Sequence, residues 1–139
     1  MVKFMAGLKG EGKTRKLIDM ANQDAKVTDG HLVFIDDDKR NIHEVHRDIR
    51  FVDAGKGVLA SYREFVGFVL GILSQNSDIK HIYIDGLTTI LQKDAIDNEG
   101  LLKLKARLEG ISKVDHVEFT ISIHCEPSSL PSEMKDSLI

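Results

Sequence analysis

The chain has 139 residues, enough for one hydrophobic core, and is read as a single domain spanning 1–139. Its formal charge of −3 excludes the bulk attraction of a basic nucleic-acid binder, and its 42% hydrophobic and 29% charged content fits an ordinary globular protein rather than a disordered one. A single cysteine, Cys125, excludes an internal disulfide or a thiolate zinc site, and no apolar run reaches the length of a membrane span, so a reducing, cytoplasmic setting without a membrane partner is expected.

Val2-Lys3-Phe4-Met5-Ala6 is a short, mostly apolar run that predicts a first strand. It leads into Gly7-Leu8-Lys9-Gly10-Glu11-Gly12-Lys13-Thr14, in which two glycines separated by four residues are followed by Lys and Thr, the pattern of a phosphate-binding loop. A loop that wraps a polyphosphate needs residues without a Cβ where the backbone turns through positive φ, so that successive N–H groups face the anion. Gly7, Gly10 and Gly12 supply such positions. The loop must then open a helix whose N-terminus adds unpaired donors and about half a positive charge. Thr14-Arg15-Lys16-Leu17-Ile18-Asp19-Met20-Ala21 reads as that helix. The expected nucleotide-binding residues are Gly7, Leu8, Lys9, Gly10, Glu11, Gly12, Lys13, Thr14 and Arg15. Lys13 is expected to neutralise the β- and γ-phosphates, and the Thr14 hydroxyl to hold magnesium.

Further along, Val27-Thr28-Asp29-Gly30 is a turn, and His31-Leu32-Val33-Phe34-Ile35 is an unalternating, β-branched run suited to a parallel strand covered on both faces. It ends in Asp36-Asp37-Asp38, where mutual repulsion requires at least some carboxylates to face water or a cation. Two readings stand. One is a solvated turn in which an aspartate caps a short helix through Asn41-Ile42-His43-Glu44-Val45-His46. The other is a ligand site, because open parallel sheets bind ligands at the carboxyl ends of their strands.

Ile49-Arg50-Phe51-Val52-Asp53-Ala54 predicts another strand, and Gly55-Lys56-Gly57 a flexible turn. Ser61 with Glu64 forms a capping-box signature for a helix carrying Tyr62, Phe65, Val66, Val69, Leu70 and Leu73 at helical spacing. Gly67 and Gly71 within it are expected to allow close approach to the sheet. His81-Ile82-Tyr83-Ile84-Asp85 reads as a buried strand closing in a lone acid, which suits a carboxylate holding waters of a magnesium bound by Thr14 and phosphate oxygens. Thr14 and Asp85 are thus the expected metal residues.

Thr88-Thr89-Ile90-Leu91-Gln92-Lys93 predicts the start of a short helix. Leu101, Leu104, Leu108 and Ile111 mark an amphipathic helix with Lys103, Lys105, Arg107 and Lys113 off the stripe, a basic face that is either solvated or meets a partner, an acidic protein surface or a nucleic acid that the net charge does not favour. Val117-Glu118-Phe119-Thr120-Ile121-Ser122-Ile123 is the last strand, and His124 at its carboxyl end is either an ordinary buried or edge histidine or, on the same edge as Lys13 and Asp85, a donor to a γ-phosphate. A loop follows, with a short terminal helix near Pro131-Ser132.

This order of elements resembles the RecA-like branch of P-loop ATPases over most of the chain. The resemblance implies an α/β, three-layer αβα sandwich with a mainly parallel five-stranded sheet. It also implies ATP and magnesium as ligands, and hydrolysis of the γ-phosphate by Lys13, Asp38 as the water-preparing acid, and His124 as the polar sensor. Ile84-Asp85-Gly86-Leu87 looks like the branch's magnesium motif. Two departures bear on activity: an aspartate stands where the branch usually has glutamate, and Gly86 occupies the other common site of a catalytic acid. A poorly hydrolysing, nucleotide-switched binding module fits that weak acid match, and a small nucleoside or nucleotide kinase is the other alternative, although Gly86 stands where such an enzyme would have its acid. The chain has no Asn-Lys-x-Asp motif, which favours ATP over GTP. A homo-oligomer or a protein partner remains open, with Arg63 or Arg107 as cations one copy could offer another.

Overall fold

The computed structural model describes residues 1–92 and 97–139. Five strands, β1 (Val2–Gly7), β2 (His31–Asp36), β3 (Ile49–Asp53), β4 (Ile79–Ile84) and β5 (Glu118–His124), form one sheet in the order β1-β5-β4-β2-β3. Every pairing is parallel. The helices are α1 (Lys13–Val27), α2 (Tyr62–Gln75), the single turn α3 (Leu87–Ile90) and α4 (Asn98–Asp115), with short 3-10 turns at Pro127–Ser129 and Ser132–Ser137.

Strand alternation divides the interior in two. Met5, Leu32, Phe34 and Tyr83 pack with Leu17, Ile18 and Ala21 of α1. Phe4, Val33, Ile35, Ile82, Ile84 and Ile121 pack on the other side with Phe65, Val66 and Val69 of α2 and Leu101, Leu104 and Leu108 of α4. Both faces of the sheet are therefore covered, as the apolar run of β2 requires, and every β2 residue after His31 is buried. Among the described residues no helix is long and apolar enough to cross a membrane.

Polar side chains fasten α1 to the sheet. Asp24 of α1 accepts from the Tyr83 hydroxyl at 2.7 Å and lies 3.1 Å from His81 Nδ1, while His81 Nε2 meets Thr120 Oγ1 at 2.7 Å. The His81 and Tyr83 rings stack at 4.0 Å. Burial holds the imidazole below its usual pKa, against the pull of Asp24 and Glu118. On the free edge of β1, the Ile139 N–H donates to Phe4 O at 2.9 Å and Leu138 bridges Phe4 in parallel, so the terminal residues satisfy part of that edge.

Several expectations are corrected in detail. Asn41 to His46 forms successive turns rather than a helix, and β4 opens at Ile79 rather than His81. The short helix opens at Leu87 rather than Thr88, and Lys93 lies outside the described residues. The capping box of α2 is realised through Ser61 Oγ, which accepts from Glu64 N at 3.1 Å, whereas the Glu64 carboxylate bonds Ala60 N instead of Ser61 N.

Gly67 and Gly71 do not mediate close approach. Both are exposed, and a Cβ built at either meets nothing within 4 Å. Replacing Gly67 or Gly71 by Ala should therefore stabilise the protein by about 0.5–1 kcal/mol each, since the helical backbone is kept and the unfolded chain loses freedom. Denaturant midpoints with an unchanged slope check this; destabilisation would mean that the exposed face packs against something.

Candidate functional site

The parallel topology brings the carboxyl ends of all five strands to one edge, and a cleft of about 630 Å³ opens there. It is lined by Lys9, Gly10, Gly12, Lys13 and Thr14 of the loop and the start of α1, by Asp36, Asp37, Arg40, Asn41 and Lys56 from the segments after β2 and β3, and by Asp85, Gly86, Thr89, Ser122 and His124.

Gly10 and Gly12 turn through positive φ as expected, whereas Gly7, the last residue of β1, does not. Gly10 and Gly12 have φ of +87° and +79°, and a Cβ at either would point into open space. Gly12 caps the N-terminus of α1 without a side-chain bond, so the first N–H groups of the helix stay available to an anion. The loop is braced from within: Glu11 Oε1 accepts from Leu8 N at 3.1 Å, and Lys13 Nζ donates to Leu8 O at 2.9 Å.

Beside the loop, Asp85 follows the last residue of β4. Its Oδ2 accepts from Thr14 Oγ1 at 2.9 Å, and its Oδ1 accepts from Ser122 Oγ at 2.9 Å. Ser122 Oγ in turn accepts from Gly86 N at 2.7 Å. Strand register explains this meeting: Ile84 pairs with Ile121, so the next residues, Asp85 and Ser122, end up level on neighbouring strands. Burial raises the Asp85 pKa, and the bonds from Ser122 and Thr14 oppose that rise. Ser122 was not singled out from sequence. The signal was present as a hydroxyl inside the apolar run of β5, two residues before His124.

Asp36, Asp37 and Asp38 take three different environments. Asp36 is 2% exposed; it accepts from Asp37 N at 2.7 Å and from Asn41 Nδ2 at 3.3 Å. Its pKa is pushed up to about 7, first by burial, then by the Asp37 side chain and the Asp85 charge. Asp37 is 5% exposed, 3.7 Å from both Arg40 Nη2 and Lys56 Nζ. Asp38 turns away: it accepts from Arg40 N at 2.9 Å and Arg40 Nε at 3.0 Å, its pKa is held low by those bonds, and it does not line the cleft. The helix that one aspartate was expected to cap does not form, and Asp38 instead closes a turn onto Arg40 N.

Of the remaining sequence candidates, Lys13, Thr14, Asp85 and His124 converge on the cleft, with Gly10, Gly12 and Lys9. His124 is exposed, and its backbone N–H donates to Thr88 Oγ1 at 3.3 Å. Gly7 closes the loop from behind, its carbonyl accepting from Cys125 N at 3.2 Å. Leu8 and Glu11 act within the loop, and the Arg15 side chain lies outside, paired with Asp19 at 3.6 Å and Glu44 at 2.9 Å. Arg63 and Arg107 line a separate groove between α2 and α4.

The residues fit magnesium. Thr14 Oγ1 and Asp85 Oδ2 face each other at 2.9 Å on the wall of the cleft, a hydroxyl and a carboxylate of the hard-oxygen type that magnesium uses alongside phosphate oxygens and water. No protein-family model matches the chain, and a search of curated proteins finds no match. The functional reading accordingly rests on this geometry.

Proposed function

We propose that this chain is a magnesium-dependent ATP-binding protein of the RecA-like P-loop class that hydrolyses the γ-phosphate. The observation that carries the reading is the contact of Thr14 Oγ1 with Asp85 Oδ2 at 2.9 Å, beside Lys13 and at the mouth of a loop with two open, positive-φ glycines. Two motifs 71 residues apart in sequence meet at one point, as a metal-phosphate site requires. Magnesium bound there would offset charge on the phosphate oxygens. The loop N–H groups and the N-terminus of α1 hold the phosphates, Lys13 offsets charge on the β- and γ-oxygens, and Thr14 and Asp85 supply the metal's protein oxygens.

Asp37 rather than Asp38 is the carboxylate placed to orient the attacking water. It lines the cleft and its Oδ2 is buried without a hydrogen bond among the described residues. A water oxygen forms a bond to the γ-phosphorus as the bond from that phosphorus to the β-bridging oxygen breaks. ADP leaves, and the water proton passes to the Asp37 carboxylate. His124 on β5 reaches the same cleft as a donor to the phosphate. The lone Cys125 thiol fits a cytoplasmic protein.

Incubation with γ-labelled ATP, magnesium and a panel of nucleosides, with and without single-stranded DNA, tests the reaction class. Free labelled phosphate irrespective of nucleoside is expected. A labelled nucleotide product would replace the hydrolase by a kinase, and tight binding without turnover would make the chain a switched binding module.

A further inference from the structure

We propose that Arg40 and Lys56 are the cations that meet the γ-phosphate, supplied by the same chain as the phosphate-binding loop, so that one copy carries a complete catalytic charge set. This rests on the reading of the cleft as a nucleotide site.

Both residues line the same cleft as Lys13 and Thr14. Each stands 3.7 Å from the Asp37 carboxylate, Arg40 at Oδ1 and Lys56 at Oδ2, beyond hydrogen-bonding distance. Asp37 itself is 5% exposed, and its Oδ2 makes no hydrogen bond among the described residues. A buried carboxylate oxygen with two cations nearby and no donor on it is costly unless something completes the site. The cations are solvent-exposed, their side chains 70% and 51% accessible, so a shift toward a ligand needs little further desolvation.

The backbone that presents Lys56 is firmly placed. Ala54 N donates to Asp36 O and Gly57 N to Ile90 O, each at 2.9 Å, which ties the loop after β3 to the end of β2 and to α3. Gly55 and Gly57 adopt φ of +74° and +71°, and a Cβ at Gly57 would lie 2.4 Å from Gln92 Oε1. This tight loop between two glycines fixes where the lysine starts while leaving its side chain free. Arg40 is set by the Asp38 turn, which holds its backbone and Nε and leaves Nη2 directed at Asp37.

A polyanionic phosphate attracts both cations more strongly than a single carboxylate does. On nucleotide binding, Arg40 and Lys56 transfer from Asp37 to the γ-phosphate, and the freed Asp37 oxygen accepts from the attacking water. Contacts confined to the terminal phosphate make ATP, but not ADP, depend on these residues.

The test measures equilibrium affinity for Mg-ATP and Mg-ADP, with turnover per chain at two protein concentrations, on the full chain and its Arg40→Ala, Lys56→Ala and Lys56→Arg variants. Each alanine variant should keep its ADP affinity within about twofold, lose ATP affinity roughly tenfold, and lose turnover on the order of a hundredfold. Lys56→Arg should recover most of the ATP preference, and turnover per chain of the parent should not change on dilution. Retained ADP binding serves as the folding control. An unchanged ATP-to-ADP ratio in both alanine variants, or turnover that collapses on dilution, overturns the proposal while leaving the nucleotide site intact. A parent chain that binds neither nucleotide overturns the nucleotide reading and this inference with it.

Discussion

Lys13→Ala should lower affinity for Mg-ATP about a hundredfold, roughly 2.7 kcal/mol, and abolish measurable hydrolysis. The size follows from the position of the ammonium group. Lys13 lines the cleft at the first turn of α1 and its Nζ is held by Leu8 O at 2.9 Å, a neutral carbonyl that a phosphate oxygen readily displaces. A hydrogen bond assisted by charge contributes about 1.5–3 kcal/mol, and the lysine makes its contribution where the ligand's charge is densest. The same substitution removes only a loop-bracing bond near the surface, so stability should change by no more than about 0.5 kcal/mol. Calorimetric titration beside a thermal melt separates the two effects. A variant that binds and hydrolyses ATP like the parent would remove the loop from the site altogether.

A second large effect concerns Asp36 and pH. Its carboxyl, 2% exposed beside Asp37 and Asp85, has a folded-state pKa pushed up from 3.8 to about 7. An acid with a raised folded pKa binds more protons folded than unfolded between those two values, so its contribution to stability falls as pH rises from about 4 to about 7. Asp36→Asn removes that penalty. Its amide oxygen still accepts from Asp37 N, and a flipped Asn41 amide can accept in return. The ligand-free variant should therefore exceed the parent by about 2–4 kcal/mol at pH 8, and the difference should vanish near pH 4. Urea unfolding of both proteins across that range measures it. The difference between the two isolates Asp36 from groups such as Asp24, whose lowered pKa slopes the other way. A gap that is constant with pH would mean that Asp36 is ionised without penalty.

How much of this was legible in the sequence depends on the kind of signal. The glycine-rich loop, α1, the apolar runs of β2, β4 and β5 and the stripe of α4 are local patterns, and each lies within or overlaps the element predicted from it, with bounds that differ at the ends. Asp85 was legible because a lone acid closing an apolar strand has one place to go. The three consecutive aspartates were not separable, since identical neighbours differ only in the turn that follows. β2 extends through Asp36, the chain then turns, and the bonds that Asp38 accepts from Arg40 hold that carboxylate out of the cleft. The pairing of Ser122 with Asp85 depends on register between β4 and β5, which no local pattern encodes. Gly67 and Gly71 misled because a glycine in a helix signals either close packing or mere tolerance, and only the open space around them distinguishes the two. The cations facing Asp37 come from two different loops and carried no motif at all.

The central claim is most directly tested by titrating the chain with Mg-ATP and following both heat of binding and thermal stability. Saturation at one nucleotide per chain is expected, with loss of affinity when magnesium is chelated. At a hundredfold excess over Kd the protein should gain roughly 2.7 kcal/mol of stability, a rise in Tm of about 8 °C. An unchanged Tm and no binding heat at millimolar Mg-ATP would contradict the account.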